Sequence, residues 1–101
     1  MPHAAKRHLD RCPSHPGAVI LDMLEDMTVS KAELARHLGI SRQHLYDILA
    51  EKKPITRGTA ARFGAAFGNR ALFWLNLQAA YDAWHAERDE AVKGIPLLQT
   101  A

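Results

Sequence analysis

The 101-residue sequence predicts a single all-α domain of five short helices, of which the last is the longest. Apolar residues recur at the spacing of helices that bury one face. Serine and threonine stand where several of these helices would begin, and glycine stands where two of them would end. No stretch alternates polar and apolar residues with a period of two, so the sequence predicts no strand.

The first two helices are predicted from an apolar face and from a capping box. Gly17 to Asp26 carries its apolar residues on one face. Ser30 and Glu33 have the spacing at which the serine hydroxyl accepts the glutamate amide and the glutamate side chain reaches back. This box begins the second helix, and Gly39 ends it because glycine adopts the left-handed conformation easily.

Good capping residues also begin the remaining helices. Ser41 caps a third helix, which ends at Lys52-Lys53-Pro54. Thr56 caps a fourth helix, and Gly68 ends it. Asn69 is predicted to cap the fifth.

The chain divides into three segments. Residues 1–14 combine two prolines and three basic residues with little that can be buried, which predicts a flexible basic arm. Residues 15–90 form the domain, since the fifth helix runs to about Glu90. Residues 91–101 are predicted to be a flexible tail.

Composition narrows the class of protein. The longest uncharged run, Ala71 to Tyr81, is far shorter than the roughly 20 apolar residues of a membrane span. The N-terminal residues lack the apolar stretch of a secretory signal. The single cysteine, Cys12, cannot form an internal disulfide. We therefore expect a cytoplasmic protein.

Positive charge is concentrated in the centre of the chain. Between Ser30 and Arg57 six basic residues oppose three acidic ones, whereas the net charge of the whole chain is only +2. Such a basic centre suits a polyanionic partner. A solvated surface without a partner is the alternative interpretation of the same charges.

Ser30 to Ala50 has the layout of a helix-turn-helix, in which two short helices are joined by a Leu-Gly-Ile-Ser turn. The small Ala35 lets the two helices cross closely, and Ile40 and Leu45 fill the space between them. In this motif the first turn of the second helix faces base edges in the major groove of DNA.

This layout assigns roles in DNA binding. Arg42 can bond bidentately to guanine, Gln43 to adenine, and Ser41 to a base or a phosphate. Three lysines lie where backbone phosphates would pass, and they are predicted to supply salt-dependent affinity: Lys31, Lys52 and Lys53.

The same residues carry a resemblance to a known family. Ser30 to Ala50 resembles the lambda-repressor-like (XRE) helix-turn-helix. The wider sequence, over about Ser14 to Glu87, resembles HigA-type (VapI-like) antitoxins of bacterial toxin–antitoxin modules. The matching segments are His15-Pro16-Gly17, Lys53-Pro54-Ile55-Thr56, Phe73-Trp74-Leu75-Asn76-Leu77-Gln78, Tyr81-Asp82 and Trp84.

The resemblance implies a lambda-repressor-like fold and a homodimer that represses its own operon at a palindromic operator. It also implies a partner, the toxin HigB, a ribosome-dependent mRNA endonuclease of the RelE superfamily. By position it extends base reading from Arg42 and Gln43 to His44 and Asp47, and it places Tyr46 near a thymine methyl or a backbone phosphate. A stand-alone XRE-family regulator without a toxin is the alternative.

Apolar residues on the last helix form two lines. We expect the line of Phe73, Leu77, Ala80 and Trp84 to pack on the helix-turn-helix. The other line is predicted to be available to a dimer or toxin partner, and it consists of Trp74, Gln78 and Tyr81. Burial of both lines in the core of one chain is the alternative.

No feature of the sequence predicts an enzyme, a metal site or a cofactor. The sequence has no glycine-rich phosphate loop, no paired carboxylates in an apolar setting and no Cys–His pair on ordered elements. Potential metal ligands near the N-terminus have no recognisable zinc spacing and are interpreted as part of an ordinary flexible segment: His3, His8, Cys12 and His15.

Overall fold

The computed structural model describes residues 11–99, which contain six helices and no strand. The helices are α1 (Pro16–Glu25), α2 (Lys31–Leu38), α3 (Arg42–Leu49), α4 (Arg57–Phe67), α5 (Ala71–Glu87) and α6 (Glu90–Lys93). The all-α fold and the five predicted helices are confirmed. The additional helix, α6, is a single turn without a buried residue, and it follows a fifth helix that ends slightly earlier than predicted.

Local hydrogen bonds confirm most of the predicted helix ends. Ser30 Oγ accepts from the Glu33 amide at 3.1 Å, and the Ser30 amide donates to Glu33 Oε1 at 3.2 Å, which completes the capping box. Ser41 Oγ accepts from the His44 amide at 3.0 Å. Gly39 takes the left-handed conformation with a φ of 75°.

The cap predicted for α5 is wrong. Its N-cap residue is Arg70, which makes no capping hydrogen bond with its side chain. Asn69 lies one residue earlier and accepts instead from Trp74 Nε1 through its Oδ1 atom, at 2.8 Å. The side-chain oxygen of Asn69 therefore accepts the hydrogen bond of the buried Trp74 indole and does not cap the backbone of α5.

The hydrophobic core lies where the five helices α1 to α5 converge. Six of its residues are fully buried: Ile20 on α1, Leu45 and Ile48 on α3, Ala60 and Phe63 on α4, and Trp74 on α5. The rings of Phe63 and Trp74 lie 5.4 Å apart, which joins the two longest helices. The helix-turn-helix is thus packed against the rest of the domain through the buried face of α3.

The two lines on α5 do not divide between core and partner as predicted. Trp74 and Gln78 are buried within the monomer and cannot be offered to a partner, while Tyr81 is half-buried. In the other line, Phe73 is 44% exposed and Ala80 is also exposed, whereas Leu77 and Trp84 are half-buried and Leu77 packs against the core as predicted. The physical reason is that Trp74 fills the gap between α4 and α5, which rotates the opposite face of the helix outward.

Gly17 allows α1 to approach the end of α3 closely. A Cβ atom at this position would overlap the carbonyl oxygen of Ile48 and would also lie 3.1 Å from the Leu49 Cα atom. The neighbouring atoms belong to the backbone and cannot rotate away. Any side chain on residue 17 must therefore displace α1 from the end of α3.

Within residues 11–99, none of the helices combines the length and apolarity that a bilayer crossing requires.

We expect Gly17→Ala to lower the free energy of unfolding by about 1–3 kcal/mol, because the added methyl group overpacks a backbone contact. Gly58→Ala is the matched control. Gly58 lies in α4 with open space around its Cα atom, so alanine should leave stability unchanged or raise it by up to about 1 kcal/mol. Urea unfolding of both variants measures the difference, and equal stability of the two would contradict the close contact.

Candidate nucleic-acid interface

Helix α3 buries one face and presents the other to solvent. Leu45 and Ile48 on the inner face are fully buried. Arg42 and Gln43 in the first turn are exposed, and Tyr46 in the next turn is 41% exposed. The buried face fixes the rotation of the helix, so the side chains predicted to read DNA project from a rigid support.

Of the other residues predicted to read bases, two are half-buried and the third already forms a hydrogen bond within the protein. His44 and Asp47 are half-buried. Ser41 is exposed, but its hydroxyl oxygen already accepts the capping hydrogen bond from the His44 amide. The hydroxyl hydrogen of Ser41 stays available to donate, which suits a phosphate oxygen.

The loop between α3 and α4 carries two of the predicted phosphate contacts. Lys52 and Lys53 are exposed, and their amides donate to the Asp47 carbonyl at 2.8 and 3.2 Å. Farther along the loop, the Ile55 amide donates to the Oε1 atom of Gln78 at 2.7 Å. These hydrogen bonds hold the loop at both ends.

Gln78 anchors this loop to α5. Besides accepting from Ile55, it donates from Nε2 to Asp82 Oδ1 at 2.9 Å, and only 6% of the residue is exposed. Sequence reasoning placed Gln78 on a partner-facing surface. Gln78 is instead buried, and its hydrogen bond with Ile55 connects α5 to the loop that carries Lys52 and Lys53.

Most of the cations in this region are free to meet an anion. Within residues 11–99, Lys31, Arg42 and Lys52 are exposed and form no salt bridge. Lys53 is the exception, because its Nζ atom lies 3.5 Å from Asp47 Oδ2. The structure therefore brings the predicted reading helix and a positively charged loop together on adjoining segments.

The assignment of His15 to an ordinary flexible segment is wrong, because this residue is the N-cap of α1. It is buried, and its Nδ1 atom accepts from the Gly17 amide at 2.9 Å, so it caps α1. Its ring packs edge-on against Tyr81 with the centroids 4.9 Å apart. A polar residue before Pro-Gly at a helix start was the available signal.

The surroundings of His15 set its protonation. Burial lowers the pKa of His15 below its ordinary value, because the charged ring would lose solvation. The carboxylates of Glu51 and Asp82 and a hydrogen bond with the Lys53 backbone act in the opposite direction and do not overcome burial.

A cysteine and a histidine approach each other, although the cysteine lies in the irregular segment before α1. Cys12 Sγ lies 3.7 Å from the Nε2 atom of His85 on α5. In the described part of the chain, no three side chains of the usual metal-binding types form a cluster. His3 and His8 lie outside the described residues.

Comparison with known protein families supports the interpretation of this surface. The model of the CENP-B N-terminal DNA-binding domain matches residues 18–58, which include all of α2 and α3. Virulence-associated protein I of Dichelobacter nodosus is 39% identical over 77 residues, which cover 75% of this chain and 71% of that protein. YbaQ, an uncharacterized HTH-type transcriptional regulator of Escherichia coli K12, is 34% identical over 80 residues, which cover 78% of this chain and 71% of that protein.

A solved structure shares both the fold and the sequence pattern. The antitoxin HigA of Pseudomonas aeruginosa, solved with the higBA promoter, superposes with a TM-score of 0.74 at 35% identity. The superposition covers 86% of this chain and 99% of that one. The similarity therefore extends well beyond the helix-turn-helix into α4 and α5.

The buried His15 generates a prediction about pH. Because its pKa in the folded state lies below the ordinary value of 6.5, the unfolded chain takes up the proton first as the pH falls. The stability that neutral His15 contributes is present above pH 6.5 and is lost as the pH falls through 6.5 toward the folded-state pKa.

His15→Asn should weaken this loss of stability in acid, because asparagine caps a helix well but does not titrate. Urea unfolding on either side of pH 6.5 measures the effect. His37→Asn, at an exposed position of α2, is the control and should keep the wild-type difference. An undiminished pH dependence in His15→Asn would show that other groups cause it.

Proposed function

This chain belongs to the HigA-type (VapI-like) family of antitoxins with an XRE-like helix-turn-helix, and from that premise we propose that it is a sequence-specific DNA-binding antitoxin that represses its own operon. The observation that carries the proposal is the pairing of exposed Arg42 and Gln43 at the start of α3 with a buried face that fixes the helix. An Arg and a Gln in this place are the side chains that read guanine and adenine in the major groove.

The proposed mode of binding is that of a homodimer on a palindrome. Two copies of α3, one duplex turn or about 34 Å apart, enter successive major grooves and read the two half-sites. Lys31, Lys52 and Tyr46 contact backbone phosphates and set the register without reading sequence. Bound over a promoter, such a dimer blocks polymerase.

The proposed partner is a HigB-type toxin, an mRNA endonuclease of the RelE superfamily that the antitoxin silences by binding. The similarity to the Pseudomonas aeruginosa antitoxin, which covers nearly all of that chain, supports this assignment. In this proposal the chain acts in the bacterial cytoplasm as a binding protein, and catalysis belongs to the toxin.

A stand-alone transcriptional regulator is the second candidate. The Escherichia coli relative is named as a transcriptional regulator, with no toxin in its name, and it matches this chain over a similar length. Affinity purification of the tagged chain from its native host separates the two. A stoichiometric partner that cleaves mRNA once freed supports the antitoxin; recovery of the chain and DNA alone supports the regulator.

DNA reading is tested on duplexes selected by the wild-type chain from a randomised library. Arg42→Ala should weaken binding to the selected site by about 1–3 kcal/mol and relax the preference for one base in each half-site, since it removes a bidentate contact. Arg70→Ala, an exposed arginine outside the motif, is the control and should bind like the wild type. Equal losses of Arg42→Ala on selected and unrelated DNA would mean that Arg42 contacts only phosphate.

A further inference from the structure

Asp47 lies between Gln43, which is proposed to read a base, and Lys53 in the loop between α3 and α4. Gln43, one turn earlier on α3, donates from Nε2 to Asp47 Oδ1 at 2.9 Å. Lys53 Nζ lies 3.5 Å from the other carboxylate oxygen, Oδ2. Only 16% of the Asp47 side chain is exposed, so both of its oxygens are directed into the protein's own network.

This arrangement fixes which way round the Gln43 amide points. A carboxylate accepts hydrogen bonds and donates none, so the amide nitrogen of Gln43 must face Asp47. The opposite orientation would place the lone pairs of two oxygens against each other. Nε2 uses one of its two hydrogens on Asp47, which leaves its second hydrogen and the Oε1 acceptor for DNA.

The remaining donor and acceptor match one base. In the major groove adenine presents the N7 acceptor beside the N6 donor, which an amide N–H and an amide oxygen can satisfy together. Guanine presents two acceptors, N7 and O6, so the fixed amide oxygen of Gln43 would face a second oxygen. Fixing the amide therefore favours adenine over guanine at the base pair that Gln43 meets.

Lys53 makes this carboxylate compatible with DNA. An unpaired Asp47 would repel nearby phosphates, whereas the ion pair with Lys53 offsets its charge. Lys53 keeps 52% of its side chain exposed, so the same ammonium can also meet a phosphate. The Asp47 carboxylate thus connects Gln43 on α3 to Lys53 in the loop between α3 and α4.

We propose that Asp47 is a specificity-determining positioning residue, which orients Gln43 for adenine and does not contact a base itself. The proposal rests on the proposed function, in which α3 reads DNA. It replaces the assignment of Asp47 to base reading that the family resemblance implied.

The test compares the full-length wild-type chain with Gln43→Ala, Asp47→Asn and Asp47→Ala on one randomised duplex library. The base pair at which Gln43→Ala loses its preference identifies the position that Gln43 reads, and we expect the wild type to select adenine there. Asp47→Asn keeps the shape of the side chain but can present either an oxygen or an N–H group, so the amide is no longer fixed.

We expect adenine-over-guanine discrimination at that position to fall about tenfold in Asp47→Asn and Asp47→Ala, with preferences elsewhere in the half-site retained. Adding either change to Gln43→Ala should cause no further loss, because the two residues act as one unit. Glu51→Gln controls for the removed charge. It deletes an exposed carboxylate in the loop between α3 and α4, and it should leave adenine-over-guanine discrimination intact.

The outcomes separate this inference from the function beneath it. A wild type that enriches no sequence overturns the proposed function and this inference with it. A wild type that selects a site while Asp47→Asn and Asp47→Ala leave the adenine preference unchanged overturns the inference alone. Loss of preference at a different base pair also overturns it, since Asp47 would then read a base directly.

Discussion

The orientation of α3 depends on a backbone contact that a side chain would prevent. Gly17 brings the start of α1 against the carbonyl oxygen of Ile48, near the end of α3. The residue two places earlier, His15, caps α1 and packs on Tyr81 of α5. Because α1 is held at this point to both α3 and α5, the exposed turn of α3 has a fixed direction relative to the whole domain.

Hydrogen bonds to α5 and to α3 fix the position of the loop that follows α3. Gln78 of α5 holds the Ile55 amide, and the Asp47 carbonyl holds the Lys52 and Lys53 amides. A buried side-chain amide satisfied at both ends is costly to disturb, because freeing it leaves unpaired polar groups in the interior. The segment that carries Lys52 and Lys53 is therefore tied to α5 as well as to α3.

Features set by neighbouring residues could be predicted from the sequence, and features set by packing could not. Ser30, Glu33 and Gly39 mark the ends of α2 through bonds that span a few residues, so their pattern was sufficient. On α5 apolar residues occur all around the helix, and contacts with Phe63 and Phe67 of α4 decide that Trp74 faces inward. Asn69 was assigned to a cap by the same local logic, but a buried indole competes for its oxygen.

The candidate site also combines features that neighbouring residues determine with features that packing determines. Arg42 and Gln43 follow from their place in the motif, and the exposure of both agrees with it. The spacing of Gln43 and Asp47 is that of side chains that meet on one helix face, so their hydrogen bond was accessible from the sequence. Lys53 reaches the same carboxylate only because the chain turns back after Ala50, with Glu51 in the left-handed conformation at a φ of 62°. The sequence pattern thus predicts which residue types the exposed turn of α3 carries, whereas the network that orients Gln43 depends on how the following loop is folded.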